Sequence, residues 1–156
     1  MITVVYFWRI KTIFLPLAII YMAINKRQLK RLPEISFIKL LGTGKGESFT
    51  PRDADPTRWG ILVTIGENQI SNLDKSFVIK CWQKICKREY RVILKPISSH
   101  GFWSGKQPFL VDKIDANGKI AAVTRARIVW RKNLIFWRAV PPVTESLHQS
   151  PGLLNA

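Results

Sequence analysis

Ile2–Leu32 reads ITVVYFWRIKTIFLPLAIIYMAINKRQLKRL, the most apolar stretch of the chain, and its reading decides the fold. As a membrane-crossing helix it is poor. Arg9 and Lys11 interrupt it, and Pro16 lies inside the remaining apolar stretch Ile13–Ile24, whereas a span needs about 20 apolar residues. A secretory signal would need a basic start and a small-residue cleavage site, and neither is clear. Two elements fit better. Ile2–Trp8 is rich in β-branched and aromatic residues and predicts a strand. Ile13–Leu32 predicts a helix with Pro16 in its first turn. Lys26, Arg27, Lys30 and Arg31 close that helix, where cations suit the helix dipole. The same pattern describes an apolar helix with a cationic collar lying on a membrane, so a core helix and a peripheral membrane contact both stay open.

Outward from this segment, Ile35–Leu41 and Arg58–Ile65 predict strands around the Gly-, Pro- and Asp-rich loop Gly42–Pro56. Glu67–Lys87 predicts a helix interrupted near Asn72-Leu73, and Glu89–Ile97 a further strand. A Gly/Pro-rich stretch Ser98–Pro108, a turn at Asp115–Gly118 and a fifth strand Ile120–Val129 follow. Asn133–Gln149 predicts a helix kinked or split at Pro141-Pro142. The order β-α-β-β-α-β is the split βαβ, or ferredoxin-like, unit, so the expected class is α+β, an antiparallel sheet with helices on one face. Strand, helix and proline recur in the same order from Ala121 to Leu154. The expected organisation is therefore a ferredoxin-like unit over residues 1–119 with a hairpin extension, and the beginning of a second, incomplete unit over 120–156.

The chain has 156 residues, of which 47% are hydrophobic and 22% charged. That is enough apolar side chain to exclude a disordered chain, and two cysteines exclude a disulfide scaffold. Charge is the anomaly: 25 Lys+Arg against 10 Asp+Glu gives +15, with +5 in residues 1–78 and +10 in 79–156. Such a field attracts polyanions or an anionic membrane surface. A nucleic-acid binder is one reading, but no recognised nucleic-acid motif accompanies it.

The glycine-rich Gly42-Thr43-Gly44-Lys45-Gly46 fails as a phosphate loop because Gly46, not Ser or Thr, follows Lys45; it reads as a connector. Cys81 and Cys86 are five apart, about 140° around a helix, and form no metal pair. Of the two histidines, His100 sits in a Gly-rich loop and His148 near the last helix end. Either is a candidate haem ligand, and the bland alternatives are a turn residue and a helix-end cation. Around His100, Phe102, Trp103 and Phe109 crowd a short loop, where aromatics fill a core edge or a ligand pocket. Arg125 and Arg127 share one strand face, and the aromatic and basic residues from Arg125 to Arg138 would suit stacked bases, haem propionates or a solvated basic face.

The strings Phe37–Gly44, Gly46–Pro51, Trp59-Gly60, Gly101–Gly105, Pro108-Phe109, Ala122–Ala126 and Phe136–Pro141, in that order, resemble the spheroidene monooxygenase family, also called acyclic carotenoid 2-ketolase. The resemblance runs from about residue 2 to the end. It implies a dimeric α/β-barrel architecture built of ferredoxin-like units. It further implies a haem-dependent oxygenase acting on an acyclic carotenoid or similar apolar substrate, with dioxygen and an electron donor such as a ferredoxin. Family members are longer, which agrees with the incomplete second unit. Under this reading His148 or His100 would ligate haem, Arg125 and Arg127 would neutralise its propionates, and Trp103 with Phe109 would wall the substrate pocket. Its partners would be an apolar small molecule, a second copy as a homodimer and a membrane touched from the cytoplasmic side. The rival is a noncatalytic binding domain that keeps the fold.

Overall fold

A computed structural model describes residues 1–45, 53–111, 118–123, 129–149 and 151. The chain divides into two compact units, Met1–Gly42 with Pro56–Ala121, and Thr43–Asp55 with Ala122–Ala156. The elements, in chain order, are β1 (Ile2–Ile10), α1 (Leu15–Leu29), β2 (Ile35–Gly44), β3 (Ala54–Ile65), α2 (Ile70–Lys75), α3 (Phe77–Ile85), β4 (Cys86–Leu94) and α4 (Asn133–His148).

The four strands form one sheet in the order β2-β3-β1-β4, the ferredoxin-like arrangement expected from the element order. β1 is central and antiparallel to both neighbours, with Val5 opposite Leu62 on one side and Val92 on the other. Strand side chains alternate between faces, and β1 is apolar on both. Ile2, Val4, Tyr6, Trp8 and Ile10 join Ile61, Val63 and Ile65 of β3 in the main core with Leu29, Leu73, Ile79, Trp82 and Ile85 from the helices. Burying side chains of this size stabilises by about 1.5–3 kcal/mol each.

Aromatic stacking orders that core. Trp8 lies between Tyr6 at 5.4 Å and Trp82 at 5.1 Å, and Tyr21 meets Trp82 edge-on at 5.5 Å. Asn25 is buried in the middle of α1, and its Oδ1 accepts from Trp82 Nε1 at 2.7 Å. This bond satisfies both buried polar groups and fixes α1 against α3. A second link joins the sheet to α2: the Tyr6 hydroxyl donates to Asp74 Oδ1, and Arg91 Nη1 donates to Asp74 Oδ2 at 2.8 Å. Burial first, and then the Asp74 carboxylate, raise the Tyr6 phenol above the ordinary tyrosine range.

Several boundaries differ from expectation for local reasons. The helix expected from Ile13 begins with a 3-10 turn at Thr12–Phe14 and places Pro16 in the first turn of α1. The break in the second helical segment falls at Ser76, not Asn72-Leu73; Ser76 is extended, and its hydroxyl accepts from Ile79 N to cap α3. β4 begins at Cys86 because α3 ends at Ile85 without a connecting loop. The strands flanking the glycine-rich loop run into it, β2 to Gly44 and β3 from Ala54, and Lys45 N donates to Asp53 O at 2.9 Å. Ile120–Val123 and Val129 carry no strand, which corrects the described part of the expected fifth strand; Thr124–Ile128 lie outside the described residues. Of the expected turn at Asp115–Gly118, only Gly118 is described. In the second unit α4 runs through Pro141 and Pro142 without a split.

Candidate functional site

The other face of the sheet carries no helix of the first unit among the described residues. Val5, Leu62 and Phe37 are buried there, with Phe7, Leu41, Val92, Leu94, Trp103 and Phe109 packed around them. A four-stranded antiparallel sheet commonly leaves one face to water, but that face is then usually polar. Here it is aliphatic and aromatic.

Trp103 and Phe109, expected as pocket walls, come together on this face. Their rings meet edge-on at 5.3 Å, and each meets Phe37 edge-on, at 6.3 and 6.0 Å. The loop that delivers them is tightly turned: Trp103 N donates to Lys106 O at 2.7 Å, and Lys106 N to Trp103 O at 3.2 Å. Between them Ser104 and Gly105 have φ of 55° and 77°, the two positive angles of a type I′ turn. Lys39 Nζ donates to Ser104 Oγ at 3.3 Å, tying the turn to β2. Phe37 itself was visible in the sequence only as part of the family resemblance.

Toward one end of the face the apolar surface gives way to charge. Phe7 is opposite Gly60 and Tyr90, and its ring stacks on Tyr90 at 6.4 Å. The next row holds three arginines, with Arg9 opposite Arg58 on β3 and Arg88 on β4. Like charges directly opposite across strands repel, so the Arg9–Arg88 pair favours an anion beside it. A groove of about 350 Å³ adjoins it, lined by Arg9, Lys11, Lys87 and Arg88 with the hydroxyl-bearing Thr12 and Thr57. Sequence reasoning missed this row because its members are far apart in the chain. The signal was Arg9 alternating with Trp8 on β1, but pairing it with Arg58 and Arg88 needs the register.

At the opposite end Thr3 pairs with Thr64. Both hydroxyls are buried without a hydrogen-bond partner among the described residues.

His100 is not among the residues packed on this face. His100 is exposed in its loop, its Nε2 3.1 Å from Ser98 Oγ. His148 closes α4 in the second unit. Arg125 and Arg127 lie outside the described residues. Cys81 is buried on the helical side and Cys86 is half-buried at the start of β4, its thiol raised by burial and then by Glu89. Among the described residues no three His, Cys, Asp or Glu side chains cluster to hold a metal.

A haem implied by the resemblance can be tested against these residues. The aliphatic and aromatic wall suits its macrocycle and the arginine row suits its two carboxylates. Among the described residues no histidine, cysteine or methionine stands on this face. The face therefore matches a haem in its apolar and basic character and offers no iron ligand among the described residues.

The fold defines an α+β protein of the ferredoxin-like class. A crystal structure of a protein of unknown function from Nitrosomonas europaea superposes with a TM-score of 0.51 at 6% identity, over 65% of this chain and 94% of that one, a likeness of fold alone. No family model matches the chain. In sequence the chain resembles the spheroidene monooxygenase family. It is 32% identical over 136 residues to the spheroidene monooxygenase of Cereibacter sphaeroides, covering 85% of this chain and 42% of that protein. To the spheroidene monooxygenase of Rhodobacter capsulatus it is 30% identical over 145 residues, covering 90% of this chain and 60% of that protein. The chain thus spans about half the length of the curated relatives it matches.

Proposed function

We propose that the chain is a monooxygenase of an acyclic carotenoid or similar apolar substrate, working with haem on the face of the sheet opposite the first unit's helices. The observation that carries this reading is the one-sided sheet: an apolar, aromatic-lined face ending in the Arg9–Arg58–Arg88 row. The names of the relatives support the same chemistry. A flat hydrocarbon laid on the half-buried Phe7, Val92 and Leu94, beside the buried Val5 and Leu62, would displace water from both surfaces, which favours binding by about 25 cal/mol per Å² covered. Trp103 and Phe109 would orient such a chain and keep the site dry.

Haem, when bound, supplies dioxygen activation. The arginine row would meet its carboxylates, with Arg125 and Arg127 as further candidates, and His100 or His148 would ligate iron. Electrons would come from a donor such as a ferredoxin. A second copy would cover the half-buried apolar residues of this face, since two such faces packed together remove apolar surface from water.

Titration of the purified chain with haemin, followed in the Soret region, tests this. A saturable shift at one haem per chain or per dimer is expected, abolished by His100→Ala or by His148→Ala. Absence of any saturable shift removes haem chemistry and leaves a binding domain that keeps the fold.

A further inference from the structure

α1 is apolar nearly all round, yet the fold buries only one side of it. Ala18, Asn25 and Leu29 are buried, and Leu15, Leu17, Tyr21 and Met22 pack against the core. At about 100° per residue, Pro16, Ile19, Ile20, Ala23 and Ile24 fall on the opposite side, and all five are exposed. Ile13, just before the helix, is 79% exposed, and Ile19, Ile20 and Ile24 are 61%, 54% and 42% exposed. A helix hydrophobic all round is ordinarily buried all round. This one leaves isoleucines in line along its outer surface.

Cations frame that surface. Lys11 precedes it, and Lys26, Arg27, Lys30 and Arg31 follow it, all exposed. The first acidic residue of the chain is Glu34. No helix among the described residues is long and apolar enough to cross a membrane. We propose that the outer face of α1 docks on the surface of an anionic lipid bilayer, the isoleucines entering the acyl boundary and the lysines and arginines meeting lipid phosphates.

Charge complementarity selects this occupant. A second copy of the same face would set cations against cations at both ends of the contact. A nucleic acid would satisfy the cations and leave the isoleucines in water. An anionic bilayer satisfies both, which is the signature of an interfacial helix. The docking surface lies on the helical side of the sheet and does not rest on the monooxygenase reading. It would give an apolar substrate dissolved in the bilayer a short route to the protein.

Co-sedimentation of the full chain with phosphatidylcholine vesicles, with and without phosphatidylglycerol, tests the proposal. Binding is expected only to vesicles containing phosphatidylglycerol, and it should weaken as salt rises. Ile20→Ser with Ile24→Ser should lower partitioning by roughly tenfold for each residue, with an unchanged circular dichroism spectrum. Lys26→Gln with Arg27→Gln should lower it by about fivefold for each. Failure of the chain to bind anionic vesicles overturns the proposal, as does equal binding by the isoleucine variant. A dimer in solution that the isoleucine variant dissociates also overturns it, because the face would then belong to a second copy.

Discussion

Gly60→Ala is predicted to destabilise the chain although alanine is the better strand residue. Gly60 lies in β3 opposite Phe7 of β1. A Cβ built there would stand 2.9 Å from the backbone oxygen of Tyr6 and 3.1 Å from Phe7 Cδ1. The ring could swing aside, but the carbonyl belongs to the central strand and is held in the sheet. Overpacking of this kind costs about 1–3 kcal/mol, against a gain of roughly 0.5–1 kcal/mol from removing glycine's extra freedom in the unfolded chain. The net expectation is a loss of about 1–2 kcal/mol, or a fall in melting temperature of roughly 2–8 °C for a chain of this size. Gly42→Ala in β2 is the control, because a Cβ added there would meet nothing within 4 Å; it should be neutral or slightly stabilising. Urea unfolding of both variants by circular dichroism measures the difference. Gly60→Ala as stable as Gly42→Ala would refute the register that places Phe7 over Gly60, and with it the arginine row one step along.

Tyr6→Phe removes a hydrogen bond to the Asp74 carboxylate and should cost about 1.5–3 kcal/mol in urea unfolding. The folded chain holds the Tyr6 phenol protonated above its ordinary range. Its contribution is therefore full below the unfolded value of about 10 and is lost as pH rises beyond it; the variant should lose less stability over that alkaline window. Thr64→Val should raise stability by about 1 kcal/mol, since the buried hydroxyl it removes has no partner, and a clear loss in the same unfolding assay would reveal a bond to that hydroxyl. Cys86, whose thiol is pushed up by burial and by Glu89, should be alkylated by iodoacetamide with a midpoint above that of free cysteine. Glu89→Gln should lower that midpoint, as read by mass spectrometry of the Cys86 peptide.

The legible part of the fold was local. The β-branched and aromatic run from Ile2 and a helix carrying Pro16 in its first turn are settled within a few residues of chain, whereas the break expected at Asn72-Leu73 falls at Ser76. The ferredoxin-like order followed from counting such elements. The strand expected over Ile120–Val129 is absent from its described residues: an apolar, β-branched run becomes a strand only where another strand pairs with it, which composition does not record. The site was legible only where its residues are neighbours: Trp103 and Phe109 share one loop, so their meeting could be read. Phe37 and the three arginines meet through strand register, which no local pattern records. The histidines stood out by chemistry alone, and rarity of a residue type does not say which face it joins.

Methyl-resolved NMR of the chain titrated with an acyclic carotenoid in micelles, and separately with haemin, tests the central claim most directly, because the two faces of the sheet carry different methyl groups. Val5, Leu62, Val92 and Leu94 lie on the face opposite the first unit's helices, and Val4, Val63 and Leu73 in the helical core. Saturable shifts are expected in the first set, with the second left in place. Shifts centred on the helical core, or none in Val5 and Leu62 at saturation, would contradict a ligand site on the opposite face.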